Sequence, residues 1–366
     1  NYAYDGQHVG YFPLTTVNGA ARSRDRPRSY DPRNLPHRTD DSYAEDLAEV
    51  AGTLTAAEHR EARRVTGVGE RPLLCFSPAF TMPTFFPPDV FHLFGSNVPS
   101  LLWSTFTNHQ DGDPFTLSEE QQELFASMLE SSGSDLPTSF SASKPRDPCT
   151  NSNSHYKMFE WSLVTYLYLP SFLYAIDAPL PVVKMVCDLT EGVRLAMSSD
   201  GVLAPDLQNM EDRFVDFVEA WERLYVRRQP HLLSRATISI HQLLHISDFV
   251  YAHGSPRNTS QARCEREVGL LKRMLRSHKQ PFTGIINHIR QNEHLRLLDL
   301  LLDDAEDNED RPPLTLSTSI SSRHRALTQV EQNMEVLLIE GFQRQGFIPT
   351  PLPDFVRRGK IKLSAK

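Results

Sequence analysis

The chain has 366 residues, of which 39% are hydrophobic and 23% charged, and its net charge is −8. This length suffices for two or three domains with a sizeable core. The negative balance argues against a chain coated evenly in positive charge for nucleic acid, although a local basic groove stays compatible with it. No apolar run approaches the roughly 20 residues that cross a bilayer, and no signal peptide is visible. We therefore expect an intracellular protein with no contact with a membrane.

The four cysteines are widely spaced and form no CxxC pair: Cys75, Cys149, Cys187 and Cys264. This spacing disfavours a zinc knuckle and a disulfide framework, and it fits a reducing compartment. The 26 prolines against 17 glycines indicate many rigid loops and frequent helix ends.

Residues 1 to about 45 are rich in Arg, Pro, Asp and Gly and show little apolar periodicity, which predicts an extended arm packed on another part of the protein. From Asp46 to Arg64 the apolar spacing predicts one amphipathic helix that ends near Gly67. The Ser, Pro, Asp and Asn residues of 131–153 predict a flexible loop, and the acidic run of 302–310 predicts a solvated linker.

Apolar periodicity and capping signals predict further helices, and few strands, along the rest of the chain. These helices are expected over 90–106, 116–130, 154–176, 181–197, 205–227, 239–252, 261–277 and 329–343. A basic end, residues 357–362, closes the chain. The sequence therefore predicts a mainly α fold.

Asp89 and His92 stand three residues apart in an aromatic and aliphatic segment. On one helical turn their side chains share a face, so they are able to hydrogen-bond each other or to hold a metal. His241 and His245 have the i, i+4 spacing of zinc ligands on a helix, but the glutamate of a metalloprotease motif is absent. We expect packing, with ring nitrogens bonded to the backbone, more than a zinc site. Trp161 and Trp221 are also expected to be structural.

Glu265 begins a predicted helix and becomes a metal ligand only if it faces other carboxylates. Basic residues surround it, and they are able to track the phosphates of DNA or simply to form a solvated helix face. They are Arg263, Arg266, Lys272, Arg273 and Arg276. No phosphate-binding loop, serine elbow or Cys–His arrangement rises above chance.

In this order, several segments resemble the CACTA (En/Spm-type) transposases of fungal transposable elements. They are residues 1–10 and 30–39, the Asp-x-x-His block from Phe86 to Trp103, Trp161, Trp221, the segment 240–245, and 264–269. The resemblance implies an RNase H-like fold that holds three acidic residues on Mg²⁺ and is interrupted by a helical insertion. It makes Glu265 the candidate third carboxylate and Mg²⁺ ligand, with Asp89 and His92 as insertion-domain residues near the active site.

The resemblance also implies a domain order. An arm and amphipathic helix would span 1–72, the helical insertion 73–235, the incomplete carboxy-terminal part of the RNase H-like α/β fold 236–300, and the linker and basic tail 301–366. The first two carboxylates of the family would precede Asn1, so Mg²⁺ would bind only to a completed site. We therefore expect a transposase-like fragment that does not cut DNA alone.

By the same resemblance, the expected partners are transposon-end DNA and further copies of the chain, the expected location is the nucleus, and no small-molecule cofactor is expected. The alternative is a non-catalytic helical module, derived from a transposon, that binds DNA or protein. A zinc hydrolase built on His241 and His245 would need a third ligand that the sequence does not offer.

Overall fold

Helices account for most of the architecture, as the periodicity predicts. The computed structural model describes residues 2–4, 7–9, 13–15, 29–69, 71–77, 79–132, 143–152, 156–198, 201–275 and 281–303. Within these ranges the strands are β1 (Tyr2–Tyr4) and β2 (Gln7–Val9), which pair antiparallel with Ala3 opposite His8. The mainly α prediction is confirmed.

The amino-terminal arm lies against the helical body. The amide of Tyr30 donates to the carbonyl of Leu14 at 2.8 Å, and the side chains of Leu14 and Leu35 are buried in the main core. The carboxylate of Glu222 accepts the amide of Leu14 at 2.9 Å. A buried carboxylate that receives a main-chain donor fixes the arm at this point, because neither group finds water there.

The single helix predicted from Asp46 to Arg64 is wrong, because two helices occupy this part of the chain: α1 (Asp40–Ala51) and α2 (Ala56–Thr66). The break has a local cause. Thr55 and Glu58 form a capping box, in which the threonine hydroxyl accepts the amide of Glu58 while the glutamate accepts the amide of Thr55. Helix α2 ends at Gly67, where a positive φ of 70° suits glycine.

The body continues with helices of very different lengths. They are α3 (Val90–His92), α4 (Val98–Thr107), α5 (Glu119–Ser131), α6 (Pro148–Asn151), α7 (Met158–Leu163), α8 (Leu169–Ala175), α9 (Leu180–Ala196), α10 (Ala204–Trp221), α11 (Ile238–Gln242) and α12 (Ile246–His253). Three π-helical turns, Leu93–Asn97, Val164–Tyr168 and Glu222–Val226, extend α3, α7 and α10. Short 3₁₀ turns cover Leu73–Phe76, Pro230–Arg235 and Leu243–His245.

The centre of the body is the packing of α9 along α10. Gly192 makes the close approach possible, because a Cβ atom at this position would lie 2.8 Å from the ring of Phe214. Phe214, Phe217 and Trp221 of α10 are fully buried, as the predicted apolar face requires.

The core does not stop at the boundary predicted at residue 235. Ala236, Ile240 and Val250 belong to the same buried cluster as α9 and α10. The chain divides into two compact units at a later point, Asn1–Ala262 and Arg263–Lys366. Residues 236–262 therefore pack with the first unit.

The second unit begins at the second residue of α13 (Ala262–Met274), a helix that was predicted. It also contains α14 (Pro281–Asp303), which was not predicted. Helix α14 includes the first two residues of the predicted acidic linker, Leu302 and Asp303. The rest of that run, the predicted helix 329–343, the basic end 357–362 and Arg276 lie outside the described residues.

The described residues between 236 and 300 form helices and 3₁₀ turns without a strand. Glu265 lies on a helix, as expected, but no strand of the RNase H-like α/β part expected over 236–300 is among the described residues of the second unit. None of the described helices is at once long enough and apolar enough to span a bilayer.

Candidate functional site

Asp89 is the N-cap residue of α3, and its carboxylate accepts hydrogen bonds from within the protein. It accepts the amides of Phe91 at 3.1 Å and His92 at 3.3 Å, and the His92 ring donates to it from Nδ1. It also accepts the amide of Gln261 at 2.9 Å, far along the chain. The two residues therefore bond each other, one of the two roles that their spacing allows.

The electrostatics of Asp89 match this structural role. Burial opposes ionisation, but the hydrogen bonds from Gln261, from the His92 ring and from the amides of Phe91 and His92 outweigh it and lower the pKa of Asp89. Asp89 is thus a carboxylate at neutral pH whose oxygens already face several donors. It has little lone-pair capacity left for a metal ion.

His241 and His245 face each other on the inner side of the α11–α12 segment. Their Nε2 atoms lie 3.2 Å apart, and their rings meet edge to face at 4.8 Å between centroids. Burial, with a smaller effect of His245, lowers the pKa of His241 to about 4, so that His241 is neutral at physiological pH. The two rings therefore bond to each other, whereas bonds to the backbone were expected.

Two residues that the sequence interpretation did not include join this pair. His37, His245 and Asp248 each offer one atom that could bind a metal ion, and these three atoms lie within 4.8 Å of one another. In particular, the His245 Nδ1 atom is 3.6 Å from Oδ2 of Asp248, and the rings of His37 and His245 are 5.6 Å apart. No other group of three or more His, Cys, Asp or Glu donors forms among the described residues.

Charged residues cover helix α13. Arg263, Arg266, Lys272 and Arg273 are all exposed, and so is Glu265. At 100° per residue, Arg263, Arg266 and Arg273 lie within about 80° of one another around the helix axis. Lys272 lies on another side, close to the direction of Glu265. The arginines, rather than the whole basic set, therefore form a stripe along one face. Leu270 lies within this stripe, and Glu267 lies about 40° from Arg263 at its edge.

Buried charged groups were missed by the sequence interpretation, and they prove to be structural. The Arg235 guanidinium donates to both carboxylate oxygens of Asp113, at 2.7 and 2.8 Å. Arg146 likewise donates to both oxygens of Glu160, at 2.7 and 2.6 Å. The Arg235–Asp113 pair is buried on both sides, whereas in the second pair Glu160 is buried and Arg146 is exposed. Trp161 and Trp221 are buried as well, and the Trp221 indole donates to the carbonyl of Arg235.

Comparison with known proteins gives no relative: no family model, no curated protein and no solved structure matches this chain.

Proposed function

We propose that this chain is part of a CACTA-type transposase-like protein and that it binds DNA through helix α13 without cutting it. In this proposal the partner is transposon-end DNA and the location is the nucleus. The order of motifs from Phe86 to Gly269 supports the relationship. We infer the contact with DNA from one observation, the exposed arginine stripe of Arg263, Arg266 and Arg273.

The stripe has the properties of a surface that follows a phosphate backbone. Its three guanidinium groups are exposed, and no ion pair joins them to a carboxylate among the described residues. By contrast, exposed arginines of the first unit, such as Arg64 and Arg194, are held by glutamates one turn away. Each phosphate that an arginine neutralises releases counterions, so binding through the stripe should be strongly salt-dependent.

The donor groups of α13 do not support strand cleavage. A two-metal mechanism needs several carboxylates that share two ions about 4 Å apart. Glu265 is exposed and belongs to no cluster of three or more metal-ligating side chains among the described residues. The carboxylate of Asp89 already accepts hydrogen bonds from α3 and from Gln261. These residues do not fit a pair of Mg²⁺ ions, and we derive no cleavage step from them.

The test is the binding of the whole chain to a labelled DNA duplex, followed by fluorescence anisotropy. Three phosphate contacts predict that affinity falls about 40-fold between roughly 50 and 200 mM salt. Changing Arg263, Arg266 and Arg273 to Ala should remove most of the binding at low salt and flatten this dependence.

A charge-matched control separates the effect of the arginine stripe on DNA binding from the effect of net charge. Changing Arg60, Arg223 and Arg257, three exposed arginines of the first unit, to Ala alters the net charge by the same amount. We expect this control to bind like the wild type. Equal losses in both variants would contradict a specific role of α13, and no binding at low salt would contradict the proposal as a whole.

A second candidate function, self-association through α14, is favoured by a different observation. Phe282, Ile286, Ile289 and Leu297 recur at helical spacing, and each is between 44% and 76% exposed. An exposed apolar stripe of this kind often marks a protein interface. Light scattering over a range of concentrations should show a dimer that the change of Phe282 and Ile286 to Ser dissociates. A monomer at every concentration would contradict this candidate.

A further inference from the structure

His245 is the central residue of the histidine cluster, because its two ring nitrogens face different partners. Nε2 points to Nε2 of His241 at 3.2 Å, and Nδ1 points to the Asp248 carboxylate at 3.6 Å. The first distance is that of a hydrogen bond, whereas the second is longer than one. The Nδ1 side is therefore the side on which a ligand has room.

The hydrogen bond between His241 and His245 affects which ring nitrogen of His245 carries a proton. A hydrogen bond between two Nε2 atoms needs one proton, supplied by either ring. When His245 supplies it, the Nδ1 atom carries a lone pair directed toward the Asp248 carboxylate. Two electron-rich atoms at this separation repel each other in the absence of a proton or a cation between them.

The distances suit a small divalent cation. Ligand atoms about 2.1 Å from a tetrahedral Zn²⁺ ion lie about 3.4 Å from each other. The 3.6 Å between Nδ1 of His245 and Oδ2 of Asp248 is close to this value, and a nitrogen of His37 lies within 4.8 Å of its partners. His37 is exposed, so its ring can approach by the remaining distance, at most about 1.4 Å, through side-chain rotation.

A second carboxylate lies near Asp248. Glu211 of α10 repels Asp248, although Arg33 attracts Glu211 more strongly than Asp248 repels it. The arginine of this neighbourhood, Arg33, is paired with Asp212 at 2.7 Å. A divalent ion at Asp248 would relieve the repulsion between the two carboxylates.

We propose that His37, His245 and Asp248 form a Zn²⁺ site. Two imidazole nitrogens and one carboxylate oxygen are a donor set that zinc accepts, and the exposed positions of His37 and Asp248 leave the fourth coordination position to solvent. His241 is a positioning residue, because its hydrogen bond to Nε2 of His245 directs the Nδ1 lone pair to the metal. The ion would link the amino-terminal arm, which contains His37, to helix α12, which contains Asp248.

The experiment is metal binding to the whole, chelator-treated chain. Zn²⁺ is titrated in competition with a fluorescent chelator, and Co²⁺ replaces it so that the visible spectrum reports the ligand set. We expect one ion per chain, a tetrahedral Co²⁺ spectrum without a thiolate charge-transfer band, and a higher unfolding temperature in the presence of Zn²⁺. Absence of zinc binding, or a thiolate band, would overturn the proposal.

The variants are chosen so that the fold survives. His37→Ala and Asp248→Asn change exposed side chains, and each should weaken zinc binding by more than 100-fold and abolish the thermal shift. His241→Phe should weaken it by 10- to 100-fold, the usual effect of removing a hydrogen-bond partner of a metal ligand. His231→Ala, an exposed histidine elsewhere, is the matched control and should bind like the wild type.

Zinc binding that is equally strong in His37→Ala, Asp248→Asn and the wild type would overturn the site. So would an equal loss in His231→Ala, because the loss would then follow from the number of histidines. This test does not involve DNA, so its failure leaves the proposed role of α13 untouched.

Discussion

The first unit buries some of its charged residues, whereas the charged residues of α13 in the second unit are all exposed. In the first unit, Asn1–Ala262, carboxylates such as Asp113 and Glu160 are buried and receive two donor atoms from one arginine. In the second, the charged side chains of α13 are exposed, Glu265 among them. A buried pair specifies how segments meet, whereas an exposed charge is available to a partner.

Asp89 and Glu265 make the same contrast within one predicted site. Both were candidates for roles in or near an active site, and both are acidic residues at the start of a helix. Asp89 accepts hydrogen bonds from α3 and from Gln261, whereas Glu265 faces solvent. The residue type and the position in a helix therefore do not decide the role; the contacts with distant parts of the chain do.

The largest effect is expected in the core of the first unit. Trp221 is completely buried, and its indole donates to the carbonyl of Arg235. Trp221→Ala should lower the free energy of unfolding by about 3–5 kcal/mol, measured by urea denaturation. Tyr251→Ala, at a residue that is 84% exposed, is the control and should change little. A small effect of the tryptophan change would contradict a continuous core.

The next effect concerns Glu160. Hydrogen bonds from Arg146 lower its pKa to about 2, although burial opposes this. Because the folded pKa lies below the unfolded value of 4.5, the stabilisation is present above pH 4.5 and is lost as the pH falls toward 2. Glu160→Gln should therefore cost roughly 2–3 kcal/mol at neutral pH, and the two proteins should converge in acid.

The control for Glu160 is Glu61→Gln, which removes a carboxylate that is paired with Arg64 on the surface. Exposed pairs contribute little, so the unfolding midpoint of this variant should hardly move. A difference between Glu160→Gln and the wild type that persists unchanged at low pH would contradict the ionic role of Glu160.

A smaller loss is expected at Asp89. Asp89→Ala removes the N-cap of α3 and the bond to the amide of Gln261. The cost should be about 1–2 kcal/mol in urea denaturation. Asp41→Ala, in the first turn of α1 but not its cap, should cost less. If both variants were equally stable, the hydrogen bonds of Asp89 would contribute no stability beyond that of an ordinary first-turn acidic residue.

The smallest effect is expected at Glu265. Because its side chain is exposed, Glu265→Gln should change the free energy of unfolding by less than about 0.5 kcal/mol. A loss well above this would show that Glu265 has a partner within the folded chain, and it would remove the contrast with Asp89.

The sequence predicts well what depends on local pattern. The helices α9 and α10 follow from apolar periodicity, and the bond between Asp89 and His92 follows from their spacing of three. Asp248 also stands three residues after His245, so two of the three residues of that cluster were visible in the sequence. His37 was not, because only the folding of the arm brings it to α12.

Two other differences have physical causes. The predicted helix from Asp46 to Arg64 failed because the capping box of Thr55 and Glu58 starts a new helix inside it. The pairing of Asp113 with Arg235 was missed because periodicity carries no information on which distant charges meet. The RNase H-like fold stays a prediction, as does the catalytic role of Glu265.

The most direct test of the contrast between the units is hydrogen exchange of the whole chain with and without a DNA duplex. The proposed function predicts slower exchange in peptides that cover α13, Ala262–Met274, and unchanged exchange in α9 and α10 of the first unit. Protection confined to the first unit, with α13 unchanged under conditions where DNA is bound, would contradict it.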